Sequence, residues 1–137
     1  MADDAATQSL LLHDVLGLTV AEMSPDQVVI TWTVAEQNLQ PYGLAHGGMH
    51  CLVNESAASI AGAAWLGTDG NCVGVNNNTD FLRASRTGDE LTATATPVHR
   101  GRSQQLWMVE TRDAGDRLVA RGQVRLQNLP PREQLVS

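Results

Sequence analysis

The sequence predicts an α+β fold in which a curved antiparallel sheet wraps one long helix. Three observations lead there. Residues 47–66 carry apolar side chains at helical intervals over a length that no other segment reaches. The segments around it alternate apolar and polar residues with period two, as half-buried strands do. Tight turns such as Asp113-Ala114-Gly115-Asp116 join the later segments, as in hairpins. A single apolar helix beside such a sheet must be wrapped by it or leave one face bare.

In chain order, residues 1–7 are expected to be loose, and residues 9–16 fit a short helix with Leu11, Leu12, Val15 and Leu16 on one side. Leu18 to Met23 reads as a strand, followed by a Ser24-Pro25-Asp26 turn. From Gln27 to Val34 an apolar row (Val28, Ile30, Trp32, Val34) alternates against Val29, Thr31 and Thr33. Residues 36–45 form the loop into the helix, with a turn marked by Pro41 and Gly43. His46-Gly47-Gly48 opens the helix. Met49, Leu52, Val53, Ala57, Ile60, Ala61, Ala64 and Trp65 give its apolar row, and Gly67 stops it. Its length would be about 30 Å.

After a turn at Gly67 to Gly70, residues Cys72 to Leu82 are extended, with a polar centre at Asn76-Asn77-Asn78. Arg83 to Gly88 is a loop. In Glu90 to His99, Leu91, Ala93, Ala95 and Pro97 alternate with Thr92, Thr94 and Thr96. His99 to Arg102 is a short connection or bulge, and Ser103 to Thr111 the next strand. The last strand, Arg117 to Gln127, sets Leu118, Ala120, Gly122, Val124 and Leu126 against Arg117, Arg121 and Arg125. Pro130-Pro131 ends regular structure, and residues 129–137 are expected to be flexible.

A chain of 137 residues makes one domain, 1–137. Its net charge of -6 argues against general affinity for nucleic acid or anionic membranes. No apolar run is long enough to span a bilayer, and the start, Met-Ala-Asp-Asp, lacks the basic and apolar blocks of a signal peptide, so a cytoplasmic location is expected. Cys51 and Cys72 give neither a disulfide framework nor zinc spacing. His46 and His50 stand four apart, a spacing that can grip a metal, but no third ligand converges in the sequence; no metal and no cofactor are expected.

Gly48, Cys51, Glu55, Ser59 and Gly62 follow at three- and four-residue steps and so share a helix face. Neither arginine nor any other carboxylate lies between Tyr42 and Gly67. A lone carboxylate in a row of small side chains fits a groove that a ligand can enter.

The string from Asn38 to Gly48 (Asn-Leu-Gln-Pro-Tyr-Gly-Leu-Ala-His-Gly-Gly), with Glu55 nine positions after His46 and Ser59 one turn further on, resembles the hotdog-fold acyl-CoA thioesterases. The similarity covers roughly residues 10–127. It is strongest to the branch hydrolysing 4-hydroxybenzoyl-CoA and 1,4-dihydroxy-2-naphthoyl-CoA, with the phenylacetate-pathway (PaaI-like) enzymes. The resemblance implies hydrolysis of an acyl-CoA thioester, with an aromatic acyl group, at two sites shared across a homodimer; dimers would pair into tetramers. Gly47 would present its N–H to the developing oxyanion at the positive end of the helix dipole. Glu55 would be nucleophile or general base. Ser59 would orient the carboxylate or water, Gln40 would hydrogen-bond the carbonyl region, and His46 would assist thiolate departure or hold the loop.

All nine basic residues are arginine, and Arg83, Arg86, Arg100 and Arg102 fall within twenty positions. Guanidinium forks match phosphate. The resemblance implies that Arg83 and Arg86, with His99, Arg100, Gly101, Arg102 and Ser103, contact the CoA phosphates and pantetheine. Asp80-Phe81-Leu82 departs from relatives that carry histidines there, which bears on the acyl group rather than the reaction. A carrier-protein thioester is an alternative substrate. A hotdog β-hydroxyacyl dehydratase and a non-catalytic acyl-CoA sensor are the alternative functions.

Overall fold

The computed structural model describes residues 11–131. Expectations for residues 1–10 and 132–137 fall outside them. Six strands, β1 (Thr19–Met23), β2 (Val28–Thr33), β3 (Asn71–Phe81), β4 (Glu90–Arg100), β5 (Gln104–Asp113) and β6 (Leu118–Leu129), form one antiparallel sheet. Its order is β1-β2-β4-β5-β6-β3. The central helix, Gly47–Leu66, packs against all six. One row of paired residues, Ile30, Ala93, Thr111, Ala120 and Phe81, crosses the sheet from β2 to β3. Among the described residues no helix is long and apolar enough to cross a membrane.

The helix has the predicted bounds because both ends carry chemistry that stops it. His46 caps the start through its ring, and Gly67 adopts a φ of 58°, which a side-chain-bearing residue rarely takes. The core is built of Val28, Ile30, Trp32, Val53, Ala57, Ala61, Leu91, Trp107, Val109, Val124 and Leu126, all fully or nearly fully buried. Small helix residues let the rod lie close to the sheet: a Cβ on Gly62 would come within 2.5 Å of the Leu126 side chain. Buried Gln105 ties this end together, accepting from Trp107 Nε1 at 2.8 Å and donating to Asn128 Oδ1 at 2.8 Å.

Four expectations need correction. The buried helix face comprises Met49, His50, Val53, Asn54, Ala57, Ala58, Ala61 and Gly62, so Leu52 and Ile60 of the predicted apolar row are only half-buried. Gly62 correspondingly leaves the Glu55 face for the sheet. Residues 11–16 are helical, but their apolar residues do not share one environment: Leu11, Leu12 and Val15 are exposed, Leu16 packs against the core, and His13 is buried with its ring bonding Ser56 Oγ at 3.2 Å. The last strand runs to Leu129, and a register shift between Thr111 and Arg112 buries Val119 as well as Ala120.

The loop between β2 and the helix is organised by Asn38, which is 1% exposed. Its Oδ1 accepts from Ala35 N–H at 2.9 Å, its Nδ2 donates to Leu16 O at 3.0 Å, and its carbonyl accepts from His46 N–H at 2.8 Å. Asn38→Ala strands one buried donor and one buried acceptor, so urea unfolding should report a loss of about 2–3 kcal/mol.

Candidate active site

Four of the predicted catalytic residues lie in two separate depressions of the chain, and His46 lines neither. Glu55 and Ser59 line a groove of about 550 Å³ with Cys51, Leu52, Ser56, Ile60, Asn77 and Leu12. Gln40 and Gly47 line a second, of about 280 Å³, with His50, Phe81 and Arg83 among its walls.

The Glu55 groove is held open by the neighbouring strand. Gly74 of β3 lies under the carboxylate: a Cβ there would stand 3.1 Å from Glu55 Cδ. Asn77 Nδ2 donates to Cys51 O at 2.8 Å, in the turn before Glu55. Thr79 Oγ1 donates to Asn77 Oδ1 at 2.7 Å and accepts from Asn54 Nδ2 at 3.1 Å. This ladder fixes the helix to the strand and leaves Glu55 exposed, with no ion pair among the described residues. Gly74 was not singled out from sequence, although a glycine inside a strand pattern signals close approach of another group. The Asn76-Asn77-Asn78 run was the trace of the ladder.

At the helix start, the polar groups are nearly all engaged. His46 Nδ1 accepts from Gly48 N–H at 2.8 Å, which puts the neutral ring's proton on the exposed Nε2. Met49 N–H donates to His46 O at 2.9 Å. The Gly47 N–H has no acceptor among the described residues. Gln40 is fixed in the same way: its Oε1 accepts from Tyr42 N–H and from Leu44 N–H, leaving the amide Nε2 as its free donor. The space beside Gly47 is occupied. The half-exposed Phe81 ring lies there, 2.6 Å from where a Cβ would stand.

The arginines divide between the two ends of the helix. Arg83 and Arg86 follow β3 in an exposed loop tied to the helix start by the Ala45 N–H to Ser85 O bond (2.8 Å), and neither forms an ion pair among the described residues. Arg100 lies near the other end, over the Trp65 ring at 5.9 Å. It is already engaged, with Asp26 at 2.8 Å and Pro25 O at 2.9 Å. In the β4–β5 connection, Asn128 Nδ2 donates to the carbonyls of Gly101 and Arg102, and the Ser103 carbonyl accepts from Asn128 N–H. The exposed His99 ring lies where a side chain on Gly101 would go. One chain therefore does not bring the two arginine pairs together.

Residues 42–120 match the family model described as the thioesterase superfamily. The crystal structure of AziG from S. sahachiroi is similar at a TM-score of 0.83 and 54% identity, over 85% of this chain and 94% of that one. The structure of Rv1847/MT1895 from Mycobacterium tuberculosis matches at a TM-score of 0.84 and 49% identity, over 88% and 98% of the two chains. A 1,4-dihydroxy-2-naphthoyl-CoA hydrolase of Listeria monocytogenes is 32% identical over 108 residues, 79% of this chain and 87% of that protein.

His50, behind the Gly47 depression, is 3% exposed and packs edge-on against Trp32 at 5.7 Å. Burial pushes its pKa down to about 4. Between the ordinary histidine value of about 6.5 and that value, the unfolded chain binds a proton that the native ring refuses. Stability from this group is thus complete above pH ~6.5 and lost as pH falls toward 4. Urea midpoints at pH 7 and 4.5 should show the wild type losing about 2–3 kcal/mol more than His50→Gln over that interval.

Proposed function

The chain belongs to the thioesterase superfamily, with the hotdog arrangement of one helix in a six-stranded antiparallel sheet, and from that premise we propose that it hydrolyses an aromatic acyl-CoA to the free acid and CoA at sites shared between two copies. The observation that carries this reading is the separation of the two depressions. Gly47 and Glu55 stand eight residues apart on one rigid helix, about 12 Å. A carbonyl bound at the Gly47 N–H is out of reach of the same chain's Glu55. A second copy, its helix antiparallel beside the first, would bring its own Glu55 to that carbonyl. Edge strand β3, with Val73 and Val75 exposed, supports such pairing, because unpaired edges accept a further strand readily.

In this arrangement the carbonyl oxygen accepts from the Gly47 N–H and Gln40 Nε2, both free donors at the positive end of the helix. Glu55 either takes a proton from the water that attacks the carbonyl carbon, or attacks it itself to form an anhydride that water then hydrolyses, freeing the acid and the carboxylate. The carbon–sulfur bond breaks, the His46 Nε2–H donates a hydrogen bond to the departing thiolate, and the thiolate takes the proton that the attacking water gives up at Glu55. Ser59, one turn from Glu55, orients the carboxylate or the water. Phe81 beside Gly47 supports an aromatic acyl group, since rings pair favourably edge-on or offset. Antiparallel helices also place Arg83 and Arg86 of one copy at the same end as the His99–Ser103 connection of the other. That juxtaposition supports a CoA phosphate site drawn from both chains.

Thiol release from a panel of aryl and alkyl acyl-CoAs tests the reaction. Glu55→Ala should lower kcat by roughly a thousandfold, about 4 kcal/mol, with CoA binding retained. A wild type that binds acyl-CoA without hydrolysing it would instead favour a sensor or dehydratase. Mixed dimers test the sharing. Glu55→Ala chains refolded with Gln40→Ala chains should regain activity above either alone, because one of the two sites is then intact; no recovery would sink the two-chain site.

A further inference from the structure

The helical segment at residues 11–16 packs Leu16 against the core but turns its other three apolar side chains outward. A helix on a protein surface normally turns its apolar residues inward and its polar ones to water. Here His13 is 5% exposed, whereas Leu11 is 57%, Leu12 47% and Val15 66% exposed. The segment is nevertheless firmly docked. His13 bonds Ser56 Oγ, on the residue next to Glu55. The Leu16 carbonyl accepts from buried Asn38, and Leu18 N–H donates to His13 O at 2.8 Å just before Leu18 enters the core. An exposed leucine held this rigidly has a defined neighbour. Leu12 lines the Glu55 groove together with Leu52 and Ile60, which pack against the core and remain partly exposed to the groove.

We propose that this segment is the selecting wall of the acyl site, with Leu12 a specificity-determining residue for an uncharged, apolar acyl group and His13 its positioning residue. The inference rests on the thioesterase reading above and names the substrate class of that site. The thioester carbonyl must reach Glu55, so in the shared site the acyl group attached to it lies between Phe81, beside Gly47 of one copy, and the groove of the other copy's Glu55. One side of that groove is the apolar trio. Among the described residues no arginine lines it, and Glu55 is its one carboxylate. An acyl group ending in a carboxylate would face Glu55 without a compensating cation, whereas an aryl or alkyl group would bury itself against Leu12, Leu52 and Ile60.

Steady-state thiol release from acetyl-, benzoyl-, decanoyl- and succinyl-CoA supplies the test, with wild type, Leu12→Ala, Leu12→Trp, His13→Ala, His13→Gln and Glu55→Gln. The wild type should prefer benzoyl- or decanoyl-CoA over succinyl-CoA by at least about tenfold in kcat/KM. Leu12→Trp should lower the decanoyl-to-acetyl ratio of kcat/KM by about tenfold, and Leu12→Ala should raise KM for benzoyl-CoA more than it lowers kcat. His13→Ala should shift the ratios as Leu12→Ala does, and His13→Gln, whose amide can still bond Ser56, should restore them. Unchanged ratios in the Leu12 variants, or succinyl-CoA turned over as well as benzoyl-CoA, would overturn the inference while an inactive Glu55→Gln leaves the thioesterase reading standing. Full activity in Glu55→Gln would remove the reading and the inference together.

Discussion

The stiffness of one helix is the constraint on which the rest depends. Twenty residues in an unbroken rod fix the distance from the N–H at its start to the carboxylate in its middle, and no side-chain rotation closes a gap of about 12 Å. The sheet enforces that stiffness. It presses on the small residues Ala57, Ala58, Ala61 and Gly62, and the Asn77–Thr79–Asn54 ladder stitches the same turns to β3. A helix so held cannot bend its two ends toward one ligand. On the proposed reading a second copy completes the chemistry, and the chain leaves exposed what that reading needs: an unpaired edge strand and a carboxylate with no ion-pair partner among the described residues.

Donor accounting singles out the same atoms. The opening turn of a helix has N–H groups that nothing inside the helix can satisfy. Here the Gly48 N–H goes to the His46 ring and the Met49 N–H to the His46 carbonyl, which leaves the one at Gly47. The loop does the same to Gln40, consuming its oxygen and leaving its nitrogen. Capping is usually read as stabilisation alone. In this loop it also decides which donors remain, because every group used to hold the backbone is removed from the set that a ligand can use.

Much of this was legible in the sequence, and the failures have a common physical cause. Helix ends were readable because a capping residue and a glycine at positive φ are local requirements. Strands were readable because alternation is local too. What failed was phase and reach. Counting apolar side chains placed Leu52 and Ile60 inside and His50 and Asn54 outside, since hydrophobicity alone does not record that Trp32 packs on one and Thr79 bonds the other. The burial of His13 in residues 11–16 was not legible either, because its partner lies 43 residues away. Phe81 over Gly47 and Gly74 under Glu55 are contacts between distant segments, for which the sequence holds only a glycine as a trace.

Charge pairing sorts the arginines more sharply than their spacing did. Arg112, Arg117 and Arg121 meet Glu110 or Asp113, Arg125 donates to Gln104, and Arg100 is held by Asp26. Exposed pairs of this kind contribute little to stability, but they do occupy the guanidinium. An anion approaching one of them must displace a carboxylate, and on a chain of net charge -6 it meets a repulsive field as well. Arg83, Arg86 and Arg102 have no such partner among the described residues and stand in loops at the two ends of the helix. A polyphosphate ligand would gain most there, where local attraction is uncompensated. The acidity of the whole chain then works in favour of discrimination, since it weakens anion binding everywhere except beside these unpaired arginines.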